Sequence, residues 1–279
     1  MKIRINGVDA DIQLEAEKTV GEVLAALDSW FTGTKYRLSG LSIDGEPANV
    51  DSLDSCFERS IDSITLLELS ASPVMELFAE CLTRVIEDIE TFQETAFEGK
   101  SAFIAQWKQS PSACLLAEQN PDLYTCAIQT FSGEGSGAQV FRSIIAERLR
   151  ELQDPQDEMG KTAPLVAEIC ARLEELPLDI QTGKDARAAE TINAFSGITE
   201  KVFRIFNVLK AAGFPVGEII IENMPITAYI TEFSTALGEL LAAYEQHDTI
   251  LVGDLAEYEI APRLRSLHAA ISSALAGKP

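Results

Sequence analysis

Histidine is almost missing from this chain: of 279 residues only His247 and His268 are histidines, so any imidazole-dependent acid–base, triad or metal chemistry would have to rest on one of these two. Neither stands in an E-x-x-H element, which removes the usual ligands of a carboxylate-bridged di-iron bundle. Both read as surface positions, His247 at a helix end and His268 close to the C-terminal tail. Cysteine is also sparse. Cys56, Cys81, Cys114, Cys126 and Cys170 are odd in number and contain no C-x-x-C pair, a usage that fits reduced thiols and argues against disulfides or a cysteine-built zinc site. Positive charge is in short supply, with 22 Lys and Arg against 44 Asp and Glu. The net charge of −22 and isoelectric point near 4.4 would repel phosphate backbones and anionic lipid, which disfavours nucleic-acid or membrane binding through a basic surface. No apolar run approaches the roughly 18 residues of a membrane span, and "MKIRINGVDADIQ" alternates where a signal peptide would be basic and then apolar. These features predict a cytoplasmic protein. No G-x-S-x-G elbow is present, and no cofactor or metal motif stands out.

What is present begins with strands. In "KIRINGVDADIQLEAE" the residues Ile3, Ile5, Ile12 and Leu14 alternate on either side of an Asn-Gly turn, which predicts a hairpin. Thr19 and Glu22 then form a capping-box pair before "VGEVLAALDSWF", whose Val20, Val23, Leu24, Leu27 and Phe31 share one helical face. "YRLSGLSIDGEPA" and "DSITLLELSA" supply two further strands. The order strand, strand, helix, strand, strand within residues 1–71, carried by "MKIRI", "TVGEVLAAL", "LSIDGEPA" and "SITLLEL", resembles the ubiquitin-like β-grasp fold.

From Ser72 onward the apolar period changes to that of helices. "VMELFAECLTRVIEDIETFQETAF" sets Leu77, Phe78, Cys81, Leu82, Val85, Ile89 and Phe92 along one stripe, and further helical stretches continue to the C-terminal end. Breaks are expected at Pro155, at "LPLDIQTGKD" and at Gly213 and Pro215. The expected fold class is therefore α+β: a β-grasp domain over 1–72 and an all-α antiparallel bundle over 73–279, with a sub-division near 153–160.

Several motifs invite chemistry and are better explained by structure. Gly133, Gly135 and Ala138 satisfy a permissive dinucleotide fingerprint, but the stretch before them reads as a helix opened by Asn120 and Pro121, not as a strand. "MGKTAP" ends like a phosphate loop, yet the earlier glycine it needs is Pro155; Gly160 is expected to end a loop before a helix starting at Lys161. Asp254, Glu257 and Glu259 read as solvated-face carboxylates, with Pro262 ending or kinking their helix.

The β-grasp resemblance implies a docking surface. Carriers of that superfold end in a free Gly-Gly, whereas "LELSASPVMELF" runs straight into a helix. The positions matching the apolar sheet-face patch of ubiquitin are Ser42, Thr65 and Leu67, so that patch is at most partly kept. A second candidate partner surface is "GFPVGEIIIENMPITAY", where Phe214, Ile219, Ile220 and Ile221 form an apolar cluster that would mark a partner site if exposed and a tucked loop or short strand if buried. The sequence thus predicts a non-enzymatic adaptor or scaffold that binds another protein, basic or helical, with self-association left open. The alternative is a nucleotide or small-ligand binder, or an enzyme, using the glycine loop at 133–137.

Overall fold

The computed structural model describes residues 1–12, 14, 16–48, 53–135 and 137–277. The chain forms two compact units, Met1–Leu149 and Arg150–Pro279.

The first unit opens with β1 (Lys2–Ile5) and β2 (Val8–Asp9), joined by Asn6 and Gly7 at φ 50° and 78°. Positive φ at both turn positions matches the right-handed twist of the strands and explains the Asn-Gly pair. The second strand stops short of Ile12 and Leu14, which the sequence pattern had included. The register pairs Arg4 with Asp9, so Ile12 would fall opposite Met1 and Leu14 would lie beyond the start of β1; both residues pack instead against the core. Helix α1 (Val20–Phe31) carries the expected capping box in both directions: Glu22 N donates to Thr19 Oγ1 at 3.3 Å and Thr19 N to Glu22 Oε2 at 3.2 Å.

After α1 come β3 (Tyr36–Ile43), β4 (Glu46–Pro47), the short α2 (Leu53–Phe57) and β5 (Leu66–Pro73). Asp44 and Gly45 make the β3–β4 turn with φ 52° and 88°, a second two-residue hairpin of the same kind. The sheet order is β2-β1-β5-β3-β4, with β1 parallel to β5 and the other pairs antiparallel. A mixed sheet of this order beneath one helix is compatible with a β-grasp. Ile3 and Ile43 flank Leu67 on its two sides, and Val20, Val23 and Leu27 of α1 close the core above them. Helix α3 (Val74–Glu94) follows β5 directly and buries Cys81, Leu82, Val85, Ile89 and Phe92 against α4 (Lys100–Trp107), α5 (Pro111–Gln119) and α6 (Pro121–Ser132). Trp107 stacks on Tyr124 and donates its indole N–H to Asp88 at 2.9 Å, which lets a large ring be buried without stranding its polar end. Helix α7 (Ala138–Gln153) leads to the second unit.

The second unit is built from α8 (Pro155–Gln181), α9 (Asp185–Ala211), the two-residue strands β6 (Ile220–Ile221) and β7 (Met224–Pro225), α10 (Ile226–Glu245), α11 (Thr249–Asp254), a π-helical turn over Leu255–Ile260 and α12 (Ala261–Ala276). Asp154 caps α8 and Pro155 takes its first turn. Two sequence expectations fail in α8. Gly160 lies inside the helix, and "LPLDI" continues it, because the stripe Met159, Val166, Ile169, Cys170, Leu173 and Leu176 is buried along its whole length. That burial outweighs the backbone hydrogen bonds lost at Pro164 and Pro177. Pro177 presses on Gly253 of α11, where an added Cβ would stand 3.1 Å from the proline ring. The π turn before Pro262 is the local answer to a proline that cannot donate to the preceding turn, and the chain passes through it into α12 without a break. Among the described residues no helix is long and apolar enough to cross a membrane.

Candidate functional site

The outward face of the sheet is occupied by polar side chains that answer one another. Arg4 Nε meets Asp9 Oδ1 at 2.6 Å and Arg4 Nη1 lies 3.7 Å from Glu68, while the hydroxyls of Ser39 and Ser72 are 2.8 Å apart. Thr65 is exposed and Ser42 half-buried, but Leu67 is fully buried among Ile3, Ile43 and Val23. The assignment of Leu67 to the docking face is therefore corrected by one residue of strand phase: its neighbours Leu66 and Glu68 point the other way.

The Phe214–Ile221 stretch is divided. Ile221 is buried and pairs with Met224, Ile219 and Phe214 are half-buried against the core of the second unit, and of these four apolar candidates Ile220 alone is exposed, at 60%. Glu222 and Asn223 turn the hairpin with φ 53° and 66°. Phe214, Ile219 and Ile221 are thus core residues and not an open patch.

The glycine loop joins two helices. Gly133 ends α6 at φ 79°, and the N–H groups of Glu134 and Gly135 both donate to the Gln129 carbonyl, at 2.9 and 3.1 Å. The amides that a phosphate would need are spent on capping α6. Ser136 lies outside the described residues.

Titratable groups in the interior are likewise engaged. Glu158 meets Lys161 at 3.0 Å and Lys201 at 3.3 Å; burial raises its carboxyl pKa, and the two ammonium groups outweigh burial and hold it below the usual range. Glu151 takes two nitrogens of Arg204 at 3.1 and 3.2 Å. His268, expected at the surface, is buried in α12 with its Nε2 2.8 Å from the Thr162 hydroxyl, and burial lowers its pKa. It follows Leu264 and Leu267 on the buried face of the helix, a spacing that was readable. Burial first, and Asp88 second, push the Cys81 thiol up to about 11, so it is a packing residue and a poor nucleophile. Among the described residues no three His, Cys, Asp or Glu side chains gather as a metal site.

A surface of the second unit, like the cleft beside the exposed Trp30 in the first, is not answered from within. Between α9 and α10 runs a cleft of about 380 Å³, walled on α9 by Ile192, Phe195, Ser196, Thr199, Glu200 and Phe203 and on α10 by Leu237, Leu240, Leu241 and Tyr244. Each wall follows the helical i, i+3, i+4, i+7 spacing along the edge of the core: Phe195 and Leu240 belong to the core, Ile192, Phe203 and Leu237 pack against it, and Leu241 and Tyr244 extend the apolar surface into solvent. Phe203 rests against Phe233 of the core at 6.0 Å between ring centres, which fixes the floor. Leu241 and Tyr244 are 58% and 49% exposed. The Thr199 hydroxyl is buried without a hydrogen-bond partner among the described residues. The sequence signal was the composition of α10: three acidic residues, no basic one, and apolar side chains over an arc wider than one face requires.

Residues 1–73 match the family model described as the TP0873 N-terminal domain, and residues 157–270 match the model of a domain of unknown function, DUF8042. An uncharacterized protein of Treponema pallidum (strain Nichols) is 24% identical over 267 residues, covering 96% of this chain and 94% of its own length. The first match ends with β5 and the second reaches from α8 into α12, so the likeness to the treponemal protein runs through both units. No solved structure matches the chain.

Proposed function

We propose that this protein is a non-enzymatic interaction module, in which a ubiquitin-like β-grasp forms the N-terminal part and the α9–α10 groove of the second unit docks another protein. The observation that carries the reading is the groove itself: Leu241 and Tyr244 stand in water beside Leu237 and Phe203, with no segment of the described chain laid over them. Adjacent apolar side chains lining an open cleft are the arrangement by which a groove receives the apolar face of a partner. The interior carboxylates and the buried histidine support the same reading, because each is already paired for stability and none faces the groove as an acid or base. The strand order supports the β-grasp part; the ion-paired outer sheet face speaks for the groove as the docking surface.

The test compares the full chain with its Leu241→Ser variant in crosslinking and affinity capture from native cytosol. A protein held by the wild type and lost with Leu241→Ser is the expected result. Partners retained equally by both would move docking away from the groove, and a thermal shift with a nucleotide in place of any captured protein would return attention to the 133–137 loop.

A further inference from the structure

We infer that the occupant of the α9–α10 groove is a cationic amphipathic helix of another protein. This rests on the docking role proposed above and names the chemistry of the partner.

The shape argues for a helix. The α9 wall extends from Ile192 to Phe203, about 16 Å at 1.5 Å per residue, and the α10 wall from Leu237 to Tyr244, about 10 Å. Two or three turns of helix cover that length, with apolar anchors at i, i+4 and i+7 entering between the walls. The groove is open along its outer side and offers no cluster of polar groups converging on a point, as a small-molecule site would.

The charge argues for a basic one. Glu200 lines the α9 wall on its solvent side, and Glu245, the last residue of α10, follows Leu241 by one helical turn just beyond the lining residues. The nearby cations answer the rim only in part: Lys201 is directed to Glu158 at 3.3 Å and Arg204 to Glu151 at 3.1 Å, and Arg204 shares its guanidinium with Glu200 at the longer distance of 3.9 Å. Helix α10 contributes no Lys or Arg. Glu245 has no ion-pair partner among the described residues, and Ser196 donates to Glu200 at 3.4 Å without altering its charge. A second copy of the chain is a poor occupant, since each copy carries a net charge of −22.

Three labelled peptides of about 18 residues, added to the full chain and followed by fluorescence anisotropy, decide the point: a Leu/Lys amphipathic helix, its Leu/Glu counterpart, and a scrambled Leu/Lys peptide of the same composition. The expected result is that the Leu/Lys helix binds at least about tenfold more tightly than either control, that Leu241→Ser weakens it about tenfold or more, and that Glu200→Lys with Glu245→Lys shifts the preference to the Leu/Glu helix. Equal binding of the helix and its scrambled form, unaffected by Leu241→Ser, would be bulk attraction to an acidic protein and would overturn both this inference and the groove. Equal binding of the Leu/Lys and Leu/Glu helices, both lost with Leu241→Ser, would overturn the charge preference and leave the groove as a docking site. A dimer seen by light scattering and abolished by Leu241→Ser would identify a second copy as the occupant, again overturning the inference while keeping the groove.

Discussion

The outer face of the N-terminal sheet and the α9–α10 groove are both open to water, yet their side chains are in opposite states. On the sheet, Arg4 is held by Asp9 and Glu68 and Ser39 faces Ser72, while Arg37 is paired with Glu118 of α5, so these polar groups have neighbours of matching chemistry within the first unit. In the groove, apolar side chains of two helices face each other across a gap that nothing in the described chain fills. Exposure alone does not distinguish the two surfaces. What distinguishes them is whether the groups on the surface have been answered locally, and by that criterion the outer sheet face around Arg4 is closed while the groove has capacity left over.

The largest effect should come from treating the sheet as if its open face included Leu67. Leu67→Ala removes a fully buried side chain and is expected to cost about 2–5 kcal/mol in urea unfolding; a cost below about 0.5 kcal/mol would return that residue to the surface. Next comes Glu158→Gln, which leaves Lys201 facing a neutral group in the interior of the second unit. A loss of about 2–3 kcal/mol is expected, less than for a fully sequestered pair because Lys161 and Arg150 stay half in water.

Acid should then separate the interior from the groove. His268 titrates below its ordinary 6.5 when folded, so the unfolded chain binds the proton more readily and stability falls as pH drops from about 6.5 toward the folded value. Glu158 is depressed in the same sense, and its share is kept above about 4.5 and lost below it. Melting temperatures measured between pH 7 and 5 should therefore decline, and His268→Gln should flatten the decline; an unchanged slope would mean that the imidazole is not buried uncharged. The smallest effect on stability belongs to the groove. Leu241→Ser, at a side chain 58% exposed, is expected to change unfolding by no more than about 0.5 kcal/mol while weakening binding of the cationic helix proposed for the groove. A large destabilisation by that change would show that the groove is part of the core.

Much of the fold was legible because helical stripes are long. Cys81 to Phe92 in α3 and Thr19 with Glu22 before α1 announced themselves by spacing alone. Leu67 was not legible for a specific reason: in "TLLEL" Leu66 and Leu67 are adjacent, so alternation admits either phase, and the choice is made only by Ile3 and Ile43 on the flanking strands. Helix α8 was legible from Lys161 onward through Pro164 but hid at its ends behind Gly160 and Pro177, residues that end helices unless a buried stripe carries the chain past them. The groove was half visible. The surplus of apolar residues on α10 is in the sequence, but which of its two stripes is covered depends on where the chain places Phe233 and Tyr229, and that is decided by packing.

The contact between Pro177 and Gly253 couples two positions 76 residues apart in sequence. A methyl group at 253 would press on Cβ of residue 177 at 3.1 Å and on its Cα at 3.3 Å, atoms that every residue other than glycine carries, so exchanging the proline for a flexible residue would not by itself open the site. Glycine at 253 should therefore persist through related sequences wherever α8 and α11 pack this closely, whichever residue other than glycine stands at 177.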